Sequence, residues 1–147
     1  MIQLPADFQD FLRLLNSNEV EYLLIGGYAV GYYGFPRATG DIDFWVAISL
    51  NNAEKMVLVL KEFGFDVPEL SKEQFLKEDQ VFRLGSPPFR IEVLTTISGV
   101  SFQECFARKI QVIIDGIPVK MISLPDLKQN KQVADRDQDR RDLKNLP

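Results

Sequence analysis

Two aspartates, Asp41 and Asp43, lie one residue apart in the apolar stretch GDIDFWV of residues 40–46. Buried strands rarely carry carboxylates, so the pair indicates a chemical role. Because side chains alternate along a strand, both carboxylates point to the same face. Like charges this close repel each other unless a cation lies between them, and Mg²⁺ suits such a site because it takes oxygen ligands. Two solvated aspartates on an edge strand are the alternative interpretation.

Arg37 and Thr39 precede the aspartates and continue the same alternation in an extended chain. They would therefore lie on the same side as the two carboxylates. An arginine there offers a planar fork of donors that matches an anionic phosphate beside a metal. A surface ion pair between Arg37 and one of the aspartates is the alternative. The grouping predicts a ligand that carries phosphate.

Gly26 and Gly27 end the apolar run EYLLIGG of residues 21–27, and a short helix-like segment follows them. Glycines at such a turn let the backbone approach a ligand closely, and a helix N-terminus presents free N–H groups to phosphate. An ordinary strand-to-helix turn explains the pair as well. Its place a short loop before the aspartates favours a role in phosphate binding.

Glu92 lies in the strand-like stretch FRIEVLTT of residues 89–96, with apolar neighbours on both sides. It therefore faces away from the apolar side of that strand. If this strand lies beside the strand of the two aspartates, Glu92 joins them as a third acid. The alternative is a half-exposed position at which Glu92 pairs with Arg90.

The composition excludes several kinds of site. The 147 residues include no histidine, which rules out Ser-His and Cys-His catalysis and nearly all zinc-enzyme sites. The one cysteine, Cys105, leaves no internal disulfide, and we expect it to be a small core residue in a reducing compartment. A net charge of −4 disfavours a protein that clamps long nucleic acid. With no signal sequence and no span of bilayer length, we predict a cytoplasmic protein without a membrane partner.

Hydrophobic periodicity and turn residues predict the elements that position these groups. Helices are predicted over residues 5–16, 28–34, 52–64, 101–109, 124–134 and 135–146, and strands over residues 21–27, 40–48, 80–85 and 89–96, with a hairpin over 111–123. We expect Asp115 and Gly116 to form the hairpin turn, Ser123 to cap the helix after it, and the last helix to carry solvated charges.

This order of elements predicts an α/β or α+β fold with a mixed β-sheet flanked by helices. Residues 1–147 contain no linker-like stretch, so we predict a single domain.

The stretch LLIGGYAVGYYGFPRATGDIDFWV of residues 23–46 resembles the signature of the nucleotidyltransferase superfamily, which has the polymerase-β-like fold. That signature is an apolar run, Gly-Gly or Gly-Ser, a spacer, two alternating aspartates and a third acid on a later strand. From Glu21 to Leu146 the chain is similar to compact bacterial stand-alone nucleotidyltransferase-like proteins related to abortive-infection toxins. The similarity lies in RxTxDID, in IEVLTTISGVSFQECFAR and in SLPDLKQNKQVADRDQDRRDL.

The resemblance implies a metal site at the three acids. Asp41 and Asp43 would ligate two Mg²⁺ ions, with Mn²⁺ as the alternative metal. Glu92 would be the third ligand, near the attacking hydroxyl, at a position where family members often have aspartate.

The resemblance also implies a binding path for the triphosphate. Gly26 and Gly27 would hold it, and Arg37 and Thr39 would line the path. Lys131, in LKQNKQVA, matches a lysine that recurs on that helix and would reach the phosphates. An ordinary solvated helix lysine is the alternative.

The implied reaction is nucleotidyl transfer, in which an acceptor hydroxyl attacks the α-phosphate of a nucleoside triphosphate and pyrophosphate leaves. The acceptor stays open between RNA, protein and a small molecule. The alternative is a non-catalytic nucleotide- or partner-binding module, such as a toxin–antitoxin component with a cognate partner. A phosphatase with an Asp-x-Asp nucleophile is disfavoured, because RATG rather than a long apolar strand precedes Asp41.

Overall fold

A computed structural model describes residues 2–34 and 39–147. Its helices are Ala6–Ser17 (α1), Gly26–Tyr33 (α2), Leu50–Glu62 (α3), Phe102–Ala107 (α4), Leu124–Ala134 (α5) and Asp137–Asn145 (α6), and a 3₁₀ turn spans Lys72–Phe75. Its strands are Tyr22–Ile25 (β1), Asp41–Val46 (β2), Val81–Ser86 (β3), Phe89–Leu94 (β4), Ile110–Ile114 (β5) and Ile117–Met121 (β6).

The strands form one six-stranded sheet in the order β3-β4-β2-β1-β6-β5. The β2–β4 and β1–β6 pairs are parallel, whereas the β1–β2, β3–β4 and β5–β6 pairs are antiparallel. The predicted mixed sheet flanked by helices is therefore confirmed. β1 and β2 lie in the middle of the sheet, so the aspartates are carried by a central strand.

Amphipathic helices and apolar strands build the core as their patterns predict. The apolar stripe of α1 is buried at Phe8, Phe11, Leu12 and Leu15. All four residues of β1 are buried, as expected for a central strand that is covered on both faces. The thiol of Cys105 is also in the core.

Local turn and capping chemistry is confirmed at two predicted places. Asp115 and Gly116 both have positive φ, 51° and 78°, as a two-residue hairpin between β5 and β6 requires. The Ser123 side chain accepts a hydrogen bond from the backbone N–H of Asp126 and so caps α5.

The prediction that the charges of the last helix are all solvated is wrong in part. Asp139 and Asp142 on α6 are buried, with 1% and 2% of their surface exposed. They are buried because a lysine from α5 neutralises them, as described below. No helix within residues 2–34 and 39–147 has both the length and the apolar character needed to cross a membrane.

Candidate active site

The sheet brings the predicted acids onto neighbouring strands. β4 pairs in parallel with β2, and the register places Glu92 opposite Asp43 and Arg90 opposite Asp41. Opposite residues of paired strands point to the same face, so Glu92 shares a face with both aspartates. The condition on which the third acid depended, that β4 lies beside β2, is met.

Asp43 has a strongly perturbed carboxyl group. Its pKa is raised to about 7, first by burial and then by the charge of Glu92, a hydrogen bond with Glu92 and the charge of Asp41. The positive charge of Lys131 partly opposes this rise. A carboxyl group in this position is neutralised either by a proton or by a nearby cation, and its oxygen donors suit a hard divalent ion.

Arginines supply positive charge next to the acids. The Arg90 Nη2 atom lies 3.1 Å from Asp41 Oδ2 and 3.2 Å from Glu92 Oε1. The Arg83 Nε atom is 3.2 Å from the same Glu92 oxygen. The predicted alternative for Glu92, a pair with Arg90, is thus present together with the cluster of acids.

The three carboxyl groups do not converge on one metal position. Among the residues that the structure describes, no group of three or more histidine, cysteine, aspartate or glutamate side chains is arranged to hold a metal ion. Asp43 and Glu92 face each other, while Asp41 is directed to Arg90. The donor chemistry fits a divalent cation, and the Arg90 contacts would have to change to admit one.

Gly26 brings the start of α2 against Asp43. Its φ is +70°, and a Cβ atom at this position would lie 2.2 Å from Asp43 Oδ2. A glycine is therefore required both by the backbone conformation and by the close approach. Gly27 follows in the first turn and is buried.

Of the two residues predicted to line the phosphate path before β2, the structure describes Thr39. Thr39 donates a hydrogen bond from Oγ1 to the backbone oxygen of Asp41, at 3.3 Å, and so helps to shape the start of β2. Arg37 lies outside the described residues.

Lys131 is not the solvated helix lysine of the alternative interpretation. It is 4% exposed, and its Nζ lies 3.0 Å from Asp139 Oδ1 and 3.1 Å from Asp142 Oδ2. Burial by itself would raise the pKa of Asp139, but hydrogen bonds from Arg136 and Lys131 outweigh it and lower the pKa to about 2. Lys131 is therefore held in place by two carboxyl groups from α6.

A cavity of about 340 Å³ collects these groups. Its wall includes Gly26, Asp43 and Glu92 from the sheet side, Lys131 from α5 and Arg136 from the turn between α5 and α6. It therefore has two acids on one side and two cations on the other. This arrangement can accommodate a cation beside an anionic phosphate chain.

Arg136 is a charged residue of the cavity wall that the sequence analysis missed. Its Nε atom donates to Asp139 Oδ2 at 2.7 Å, and its side chain is 74% exposed. The signal is the spacing in KQVADRDQDRRD, where Lys131 is followed by Arg136 and by two aspartates one helical turn apart. A lysine near the end of one helix and two aspartates on the next helix can bury their charges together when the two helices pack.

The family described as "nucleotidyl transferase of unknown function (DUF2204)" matches residues 5–147, and the chain belongs to this family. The resemblance to the nucleotidyltransferase superfamily is thereby confirmed, whereas the link to abortive-infection toxins stays a prediction.

Solved structures share the fold at low sequence identity. One is a candidate nucleotidyltransferase from Thermotoga maritima, with a TM-score of 0.62 and 14% identity over 93% of this chain and 88% of that chain. Another is an antigenic nucleotidyltransferase-like protein from Paracoccidioides brasiliensis, with a TM-score of 0.57 and 20% identity over 95% of this chain and 73% of that chain. No curated protein matches the chain.

Proposed function

We propose that the protein transfers a nucleoside monophosphate from a nucleoside triphosphate to a hydroxyl acceptor, with Mg²⁺ as cofactor and Mn²⁺ as the alternative. The observation that carries this proposal is the β2–β4 register, which sets Glu92 opposite Asp43 beside the tight Gly26 turn. Family membership supports the reaction type.

Asp41, Asp43 and Glu92 are the residues that would hold the divalent cation. Their oxygen donors fit it, and the raised pKa of Asp43 marks a place where a positive charge is favourable. When bound, such a cation lowers the pKa of an attacking hydroxyl and stabilises charge on the phosphate oxygens.

The remaining groups bind and orient the triphosphate. The turn at Gly26 and Gly27 places the first backbone N–H groups of α2 next to the acids, where they attract phosphate oxygens. Arg136 neutralises phosphate charge from the opposite wall of the cavity. Lys131, which is already paired with Asp139 and Asp142, is assigned to the same wall. We assign Arg37 and Thr39 to the same path on the strength of their position before β2.

We place the acceptor in a second cavity of about 560 Å³. Both cavities include residues 96–98 in their walls, so this short segment separates the two. Phe102 gives the second cavity an aromatic side, with the buried Trp45 ring packed behind it, and Glu78 and Asp79 give it negative charge. Its wall, within the described residues, contains no lysine or arginine.

This lining favours a small hydroxyl compound that is neutral or carries an amine. An RNA acceptor would need cations along its phosphate chain, because phosphate contacts dominate nucleic-acid affinity. A compound of drug-like size fits a cavity of this volume, and aromatic walls with a few polar groups are typical of such sites.

Label transfer tests the proposal. The protein is mixed with Mg²⁺, each α-labelled nucleoside triphosphate in turn, and either a small-molecule, an RNA or a protein fraction of cell extract. The control is the Asp41→Asn/Asp43→Asn variant, and Asp10→Asn/Asp66→Asn repeats the same chemical change at exposed positions.

Label in the small-molecule fraction with the parent and the exposed-site variant, and none with Asp41→Asn/Asp43→Asn, is the expected result. Label in RNA or protein would support transfer but contradict the acceptor assignment. Absence of label in every fraction, with Mg²⁺-dependent triphosphate binding intact, would favour the binding-module alternative.

A further inference from the structure

The guanidinium of Arg90 occupies the space between two of the proposed metal ligands. A single atom, Nη2, lies within 3.2 Å of both Asp41 Oδ2 and Glu92 Oε1. These two carboxylates come from different strands, and Arg90 is the residue opposite Asp41 in the register. A divalent cation that used both oxygens would need the place that Arg90 Nη2 now holds.

We propose that Arg90 is a built-in counter-ion that competes with the divalent cation for Asp41 and Glu92. The cation enters when the Arg90 side chain turns away from the two carboxylates. This inference rests on the proposed function in one respect, since it takes these carboxylates to be metal ligands.

The contacts of Arg90 are suited to exchange. Its side chain is 31% exposed, and ion pairs between partly exposed groups are weak. Its Nε atom is buried and has no hydrogen-bond partner among the described residues, so within them the guanidinium is incompletely satisfied. A triphosphate in the neighbouring cavity would offer Arg90 a second anionic partner, because guanidinium groups match phosphate oxygens well.

Arg83 provides a matched comparison within the same site. It also contacts Glu92 Oε1 at 3.2 Å, but its side chain is 56% exposed and it bridges no second carboxylate in the described structure. Removal of Arg83 therefore takes away the same charge next to the same oxygen without freeing the Asp41–Glu92 gap. Arg13 on α1, which is exposed, controls for net charge at a distance.

The test is a titration of the nucleotide-free protein with Mn²⁺, in which the paramagnetic resonance signal of the free ion reports binding. The parent is compared with Arg90→Gln, Arg83→Gln and Arg13→Gln. In Arg90→Gln the ion no longer has to displace two weak ion pairs before it binds. The affinity for Mn²⁺ should therefore be about five- to tenfold higher in this variant than in the parent. Arg83→Gln should change the affinity by less than about twofold, and Arg13→Gln should match the parent.

The higher affinity must also depend on the acids. Adding Asp41→Asn and Asp43→Asn to Arg90→Gln should abolish it. Arg90→Met, which keeps an apolar stem of similar length, repeats the measurement if Arg90→Gln does not give a cooperative thermal transition. Each variant is used as the full chain.

Three results would overturn the inference. They are an Arg90→Gln or Arg90→Met variant that binds Mn²⁺ no more tightly than the parent, an equal gain in Arg83→Gln, and a gain that survives the loss of both aspartates. Label transfer is measured separately. Its absence, together with tighter Mn²⁺ binding in Arg90→Gln, would contradict the proposed reaction and leave the competition intact.

Discussion

In metal-free buffer, the Asp43→Asn variant should gain stability relative to the parent. The difference between their unfolding free energies should grow as the pH rises from about 5 to about 8. The pKa of Asp43 is raised from 3.8 to about 7 in the folded protein, first by burial and then by Glu92 and Asp41. Between these values the unfolded chain has lost the proton that the folded chain keeps. The folded parent is therefore destabilised progressively as the pH rises toward 7, and this group adds no further change above it.

The size of the effect follows from the same two values. Each unit of pKa difference corresponds to about 1.4 kcal/mol, so the two units between pH 5 and the folded pKa give at most about 2.7 kcal/mol. Asparagine has nearly the shape of aspartate and no carboxyl proton to lose. The difference in unfolding free energy between Asp43→Asn and the parent should grow by roughly this amount across the range.

Urea denaturation in the presence of a chelator, at several pH values between 5 and 8, measures this difference. Asp66→Asn is the control, because Asp66 is exposed and the chemical change is the same. Only the change of this free-energy difference with pH is interpreted. Any effect of asparagine on stability that does not depend on pH therefore cancels. Stability curves for Asp43→Asn and the parent that run parallel, within about 0.5 kcal/mol, would refute the assignment of a destabilising buried charge to Asp43.

Three further outcomes are expected. Gly26→Ala should lower stability by about 2 kcal/mol more than Gly64→Ala. Both glycines have positive φ, but among the described residues an added Cβ would meet Asp43 at Gly26 and nothing within 4 Å at Gly64. Thermal melts of the two variants decide this. Lys131→Met should cost about 3–5 kcal/mol in urea denaturation, since it leaves Asp139 buried without this cation, and a second change, Asp139→Asn, should recover part of the loss. An equal cost in the single and double variants would contradict the role of Lys131 as a counter-ion. Mg²⁺ should raise the melting temperature of the parent and not that of Asp43→Asn, and an equal rise in both would place the bound ion elsewhere.

Local chemistry made much of the fold predictable. The Asp115–Gly116 turn, the Ser123 cap and the apolar stripe of α1 each depend on residues close in sequence, and all three are confirmed. The direction of Glu92 was also predictable, because alternation along a strand is a local property. Its place opposite Asp43 was conditional, since pairing between β2 and β4 joins segments about fifty residues apart.

Burial of charge was the part that sequence reasoning could not supply. Asp139 and Asp142 lie in a strongly charged stretch, which by itself indicates solvent exposure. They are buried because α5 and α6 pack with Lys131 between them, and such an arrangement depends on tertiary contacts.

The surroundings of Trp45 also depend on tertiary contacts. It shares a face with the aspartates but is covered by Phe102 of α4, so that face of β2 is polar only at its first residues.

The position of α6 in chain order has a consequence for how the protein is made. Every strand of the sheet leaves the ribosome before α6, yet α6 supplies the two carboxylates that neutralise Lys131. A nascent chain that ends before Asp139 would carry a lysine that has to be buried without its partners. Unfinished copies are therefore expected to keep this wall of the cavity open, so that the proposed triphosphate site is completed only late in synthesis.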